Sequence, residues 1–227
     1  MGDADFTAEL WSGIEGTYEA ILDHPFLVEL ADGSLERAAF GFYVVQDAHY
    51  LREYARALSI AAARAPAEAD IAMFNEHAGG AIAAERSLHA SFFAELGWSE
   101  EDVARTPMAP TTLAYTSYLL ATAYGGSFSD LLGAVLPCYW IYWKVGKALL
   151  AQGSPDPLYA RWIEAYGGEE FGDVVRAVLA LTDRLGPELS SAQRSSAARH
   201  FATTSRYEWM FWDMGYHRER WPVGESA

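Results

Sequence analysis

Leu131-Leu132-Gly133-Ala134-Val135-Leu136-Pro137-Cys138-Tyr139-Trp140-Ile141-Tyr142-Trp143 is an unbroken apolar run that ends at Lys144. It is shorter than the about 20 residues that cross a bilayer, so it reads as a helix buried in a protein core. Pro137 has no amide proton to give the Gly133 carbonyl and is expected to kink that helix beside Cys138. Cys138 and Tyr142 are four residues apart and share a face. At this level the thiol has two readings: a small hydrophobe in the packing, or a nucleophile facing space opened by the kink. Lys144, the nearest cation along the chain, is not on the Cys138 face, so nothing local stabilises a thiolate.

Outward from this run, helical periodicity recurs and no alternating β-branched stretch competes with it, which makes the class all-α. The pattern predicts helices over Thr7–Leu30, Leu35–Arg64, Ala67–Leu96, Thr111–Ala123, Ser127–Ala151, Pro157–Ala165, Glu169–Leu185 and Ser190–His217. Short Gly, Pro and Ser segments separate them, as between packed helices of one domain. Ser34 is expected to cap the second helix, although Arg37 stands where a capping box wants Glu or Gln. With no internal repeat or linker, one domain is expected over residues 1–222 and a disordered tail over 223–227.

The 227 residues carry 16 Lys+Arg against 31 Asp+Glu, a formal charge of -15, which repels phosphate backbones and anionic lipid surfaces. Nucleic acid and membrane are therefore not expected as partners. A single cysteine rules out an intrachain disulfide. The opening Met1-Gly2-Asp3-Ala4-Asp5-Phe6 lacks the basic and apolar regions of a signal peptide, so the expected location is cytoplasmic.

Tyr43, Asp47, Tyr50 and Tyr54, spaced by four, three and four, lie on one helical face with apolar neighbours. A carboxylate there must find donors or shift its pKa; it is either satisfied by structural tyrosines or part of a ligand site. Near the C-terminus, Phe211 and Trp212 stand three and four residues after Glu208 and turn it toward rings. Desolvation would keep its proton on, the state a general acid needs. The alternative is an ion pair with Arg206 or Arg218. Glu85 and His89, with Glu76-His77 earlier, have spacing that raises a metal site. The Glu-x-x-His pairs of a di-iron bundle are missing, so no metal is expected and helix-to-helix hydrogen bonding is the expected role. Gly125-Gly126 and Gly167-Gly168 are too short to cradle phosphate.

These pieces resemble one family, TenA, the thiaminase II or aminopyrimidine aminohydrolase family, in its cysteine-containing branch. The likeness is carried by His24-Pro25-Phe26, Tyr43-Val44-Val45-Gln46-Asp47 through Tyr50-Leu51, Leu136-Pro137-Cys138-Tyr139-Trp140 with Tyr142, Tyr166-Gly167-Gly168, and Tyr207-Glu208 with Phe211-Trp212. Ala114-Tyr115-Thr116-Ser117-Tyr118 and the Glu85 to His89 pair fit too. His49 and Arg206 depart from residues common in the family and bear on fine substrate preference. The resemblance implies a heme-oxygenase-like helical bundle, a homotetramer and no cofactor. It further implies Cys138 as nucleophile, Glu208 as catalytic acid/base, Asp47 as the residue that hydrogen-bonds an aminopyrimidine, and Tyr50, Tyr115, Tyr142 and Tyr166 around the pocket. The implied reaction is hydrolysis of 4-amino-5-aminomethyl-2-methylpyrimidine, or of thiamin, to the hydroxymethylpyrimidine in thiamin salvage. Two other readings stand beside it: a non-catalytic pyrimidine- or thiamin-binding protein, and an oxidase of the same broad fold.

Overall fold

The computed structural model describes residues 5–84 and 90–223. Its elements are α1 (Phe6–Ser12), α2 (Glu15–Leu22), α3 (Pro25–Asp32), α4 (Arg37–Arg64), α5 (Glu68–Ala84), α6 (Ala90–Leu96), α7 (Glu100–Arg105), α8 (Pro110–Gly125), α9 (Phe128–Leu150), α10 (Pro157–Gly167), α11 (Glu169–Leu185), a 3-10 turn (Gly186–Glu188) and α12 (Ser191–His217). There is no strand among the described residues. The all-α expectation and most of the predicted spans hold.

Helix starts follow from local chemistry. Ser127 with Asp130 and Ser190 with Gln193 form capping boxes that open the long helices α9 and α12. Asp156 caps α10 ahead of Pro157, whose missing amide proton costs nothing at the first helical position.

Three expectations need correction. The segment Thr7–Leu30 is three helices: the first ends at Gly13, and the residue before Pro25 is pushed into extended geometry, with His24 at φ -67 and ψ 132. His24 then caps α3, its Nδ1 accepting the Phe26 amide at 3.1 Å. Ser34 does not cap α4. Asp32 takes its amide and hydroxyl, at 2.8 and 2.5 Å, and Glu36 occupies the N-cap without a side-chain bond. Finally, the short α7 was not expected, although Ser99 and Asp102 form a capping box. The predicted Ala67–Leu96 helix is seen as α5 and α6; residues 85–89, and with them Glu85 and His89, lie outside the described residues, as do residues 224–227 of the expected tail.

The apolar run sits at the centre. From Leu131 to Pro137 every residue of α9 is buried, and the helix continues through Pro137. It packs chiefly on α12 and α10, while α4 packs on α5 and α8. Two glycines set how close α9 comes to its neighbours. A Cβ on Gly133 would lie 2.4 Å from the Ala197 carbonyl oxygen of α12, and one on Gly146 would lie 2.4 Å from the Gly167 nitrogen of α10. Helix backbones at that range exclude any side chain, so these crossings place α9, α10 and α12 around a shared interior. No described helix is long and apolar enough to span a membrane.

Candidate active site

The interior enclosed by α4, α8, α9, α10 and α12 is lined by phenols and two carboxyl groups. From α4 come Asp47, 4% exposed, and the buried rings of Tyr43, Tyr50 and Tyr54. The four-three-four spacing does place them on one inward face. α8 contributes Tyr115, α9 contributes Cys138 and Tyr142, α10 contributes Tyr166, and α12 contributes Glu208, 1% exposed. All seven nominated residues meet here. Cys138 and Tyr166 keep some accessible surface, yet burial is the largest influence on the pKa of each. That combination fits groups lining an internal space.

Glu208 is the group whose chemistry is most altered. The Tyr115 hydroxyl donates to its Oε1 at 2.5 Å. The expected competitors are elsewhere: Arg206 is exposed, and Arg218 pairs with Glu36 at 3.4 Å. Burial raises the Glu208 pKa from 4.5 to about 8; the Tyr115 bond opposes the rise and the Asp47 charge adds to it. Glu208 is therefore a protonated acid at neutral pH, as desolvation without a cation requires.

Cys138 rests as a thiol. Burial pushes its pKa well above 9.0, the Glu208 charge adds to this, and the facing Tyr50 and Tyr54 hydroxyls work against it. Lys144 is no help to it, since its ammonium lies 5.2 Å from the Trp11 ring centre and 5.9 Å from that of Tyr18. The Tyr50 hydroxyl is buried near Cys138 and Tyr115 and makes no hydrogen bond of ordinary geometry among the described residues.

The walls are aromatic. Tyr50 meets Tyr115 at 4.9 Å and Phe211 at 5.5 Å between ring centres, and Tyr207 stacks on Tyr115 at 5.1 Å. Tyr142 lies 4.9 Å from Tyr166 and 5.1 Å from Trp212, and its hydroxyl is 3.1 Å from that of Tyr43. Flat faces and scattered polar edges suit a planar heterocycle that carries hydrogen-bonding groups.

Sequence reasoning missed Trp162, whose ring packs 4.8 Å from Tyr166 and whose buried Nε1 lies near the Tyr43 hydroxyl. Its spacing of four from Tyr166 on one helix was the available signal. Gln46 and His49 were also unassigned. Gln46 holds the loop before α8 through the Pro107 carbonyl at 3.0 Å and the Ala109 amide at 2.9 Å, and His49 contacts the Thr106 carbonyl at 2.9 Å. That loop edges a separate surface groove of about 980 Å³, near Trp98 and Trp221, that holds none of the seven residues. No group of three or more His, Cys, Asp or Glu suited to a metal ion occurs among the described residues.

Residues 11–218 match the model of the TENA/THI-4/PQQC family. The chain is 36% identical over 218 residues to an aminopyrimidine aminohydrolase of Halalkalibacterium halodurans, covering 95% of this chain and 97% of that one. It is 35% identical over 216 residues to an aminopyrimidine aminohydrolase of Bacillus subtilis, covering 95% and 92%. Among solved structures, a TenA homologue from P. horikoshii OT3 superposes with a TM-score of 0.85 at 29% identity, covering 94% of this chain and 99% of that one. A domain with a heme oxygenase-like fold from Shewanella denitrificans superposes at 0.74 with 17% identity, covering 93% and 92%, and shows the fold alone. Match and superposition run through the same helices that carry the tyrosine-lined interior: the fold is heme-oxygenase-like, and the chain belongs to the TENA/THI-4/PQQC family.

Proposed function

We propose that the protein is an aminopyrimidine aminohydrolase of the thiaminase II type, acting in thiamin salvage. The observation that carries this reading is Glu208: a carboxylic acid 1% exposed, held by Tyr115 and kept protonated, in the same phenol-lined interior as Cys138. Relatives similar to this chain over nearly all its length carry the aminohydrolase name.

The residue chemistry gives each group a task. The aminopyrimidine lies between the rings, with Asp47 hydrogen-bonded to its amino edge and Tyr50, Tyr115, Tyr142 and Tyr166 around it. Cys138 sulfur, as thiolate, adds to ring C6 while Glu208 delivers its proton to ring N1. The ring becomes an enamine that expels the group on the C5 methylene: ammonia from 4-amino-5-aminomethyl-2-methylpyrimidine, or the thiazole from thiamin. Water adds to the exposed methylene and gives up a proton, which balances the one the departing amine carries off as ammonia. N1 returns a proton to Glu208, and the carbon–sulfur bond breaks to release hydroxymethylpyrimidine and a thiolate that is reprotonated to the thiol. The thiol supplies the electron pair and Glu208 the proton, so the sequence of steps calls for no cofactor. We place the enzyme in the cytoplasm as a homotetramer, on the strength of the family resemblance and the sequence features above.

The test compares ammonia release from the aminomethylpyrimidine with cleavage of thiamin, for the native enzyme and Cys138→Ser. Native turnover of at least one substrate is expected, with turnover abolished and pyrimidine binding retained in the serine variant. A fully active serine variant would sink the covalent route, and pyrimidine binding without turnover by the native protein would make it a binding protein.

A further inference from the structure

The proposed reaction leaves one proton without a destination. Cys138 rests protonated and must lose its proton before the sulfur attacks. Glu208 cannot accept it while still holding the proton meant for ring N1. Lys144 is committed to the Trp11 and Tyr18 rings.

A row of polar groups leads from the thiol toward the surface. The Tyr54 hydroxyl donates to the Val135 carbonyl at 2.9 Å, one helical turn before Cys138 on the same face of α9. It lies near enough to the Cys138 sulfur and to the Tyr139 hydroxyl to lower the pKa of each, with the Tyr54 and Tyr139 rings 5.7 Å apart. The Tyr139 hydroxyl in turn lies 3.1 Å from His77 Nδ1 on α5. Tyr54 and Tyr139 are buried, whereas His77 keeps part of its surface accessible to solvent. Burial lowers the His77 pKa below 6.5, against the pull of Glu76, so at neutral pH its ring is an uncharged base.

We propose that Tyr54, Tyr139 and His77 form the path by which the Cys138 thiol proton reaches solvent. The S–H bond breaks with its electron pair left on sulfur, and the proton passes to the Tyr54 oxygen. Tyr54 turns its own proton from the Val135 carbonyl to the Tyr139 oxygen, and Tyr139 gives its proton to His77 Nδ1. His77 releases a proton from Nε2 to water, and the reverse transfer restores the thiol when sulfur leaves the product. Use of the path in turnover rests on the aminohydrolase reading; the proton exchange itself does not.

The chain has one cysteine, so a single S–H stretching band reports this thiol by infrared spectroscopy. After rapid mixing into D2O, the native protein is expected to convert S–H to S–D at least tenfold faster than His77→Gln and Tyr139→Phe. Glutamine can keep a hydrogen bond to Tyr139 but cannot take up the proton, so a role limited to holding Tyr139 would leave exchange in His77→Gln unchanged. Equal exchange rates in the native protein and folded His77→Gln overturn the path; His77→Asn serves as the second variant if His77→Gln does not fold. Where the native enzyme releases ammonia, kcat in His77→Gln should fall at least tenfold with KM little changed. An unchanged kcat removes the path from turnover. If the native enzyme releases no ammonia, the aminohydrolase reading fails while the exchange rates still decide the path.

Discussion

Two buried carboxyl groups in this protein are treated in opposite ways. Asp70, where α5 meets α11, is 7% exposed and receives the Arg184 guanidinium at 2.6 Å. Glu208, between α8 and α12, is as deeply buried and receives the Tyr115 phenol. A guanidinium neutralises a buried charge and fixes it, which is what a joint between helices needs. A phenol satisfies one oxygen without supplying charge, so the cheapest way to stay buried is to keep the proton. The first arrangement makes a structural tie; the second keeps an acid loaded at neutral pH.

The contrast is broken most forcefully by Glu208→Gln. The amide fits the same space but cannot deliver a proton, and turnover should drop by roughly 10²–10⁴-fold, read as kcat in the ammonia assay. In the native enzyme the alkaline limb of kcat/KM should fall as pH rises through about 8, where Glu208 of the free enzyme loses its proton. The same shift is a stability statement. Folded Glu208 keeps its proton from 4.5, the ordinary value, up to about 8, so the folded state binds more protons across that window. This contribution is fully present below 4.5 and is lost as pH rises through about 8, at about 1.4 kcal/mol per pKa unit. Denaturant titrations at a series of pH values should show it in the native protein and not in Glu208→Gln.

Arg184→Ala should do the reverse. It strands Asp70 without its cation and should lower stability by about 1–3 kcal/mol in urea denaturation, because Arg184 is itself half in water and screened. Turnover should stay within twofold, since neither Asp70 nor Arg184 is among the residues of the site or of the proton path. Loss of activity in a stably folded Arg184→Ala protein would erase the distinction between tie and acid.

Tyr115→Phe is the mildest of the three and sharpens the point. The Tyr115 bond lowers the Glu208 pKa, so its removal should carry the alkaline limb of kcat/KM to higher pH. A limb that moves to lower pH would mean that Tyr115 stabilises the protonated acid instead.

Much of this was legible along the chain. The Tyr43, Asp47, Tyr50, Tyr54 face and the Glu208, Phe211, Trp212 face are periodic signals within single helices, and helix geometry alone turns each set one way. The division of Thr7–Leu30 was harder to read because apolar spacing continues across Gly13 and Pro25, and only the backbone limits of those residues stop the helix. Ser34 misled because Asp32, two residues earlier, competes for the same hydroxyl and amide. Trp162 stayed hidden because its partners Tyr43 and Tyr142 are on other helices. The helix-to-helix hydrogen bonding expected of His77 is borne out by its contact with Tyr139, but the partner on α9 could not be named from the sequence.

By itself the sequence determined an all-α chain, a formal charge of -15, a central apolar helix with one thiol, and which side chains share a helical face. Those properties depend on composition and on the fixed 3.6-residue period of the helix. Only the tertiary structure decided that the faces from α4, α8, α9, α10 and α12 converge, that Glu208 is paired with a phenol and not with Arg206 or Arg218, and that the Tyr139 hydroxyl of α9 meets His77 of α5. Protonation depends on what surrounds a group in three dimensions, and for Glu208 and Cys138 the surroundings are supplied by helices far apart along the chain.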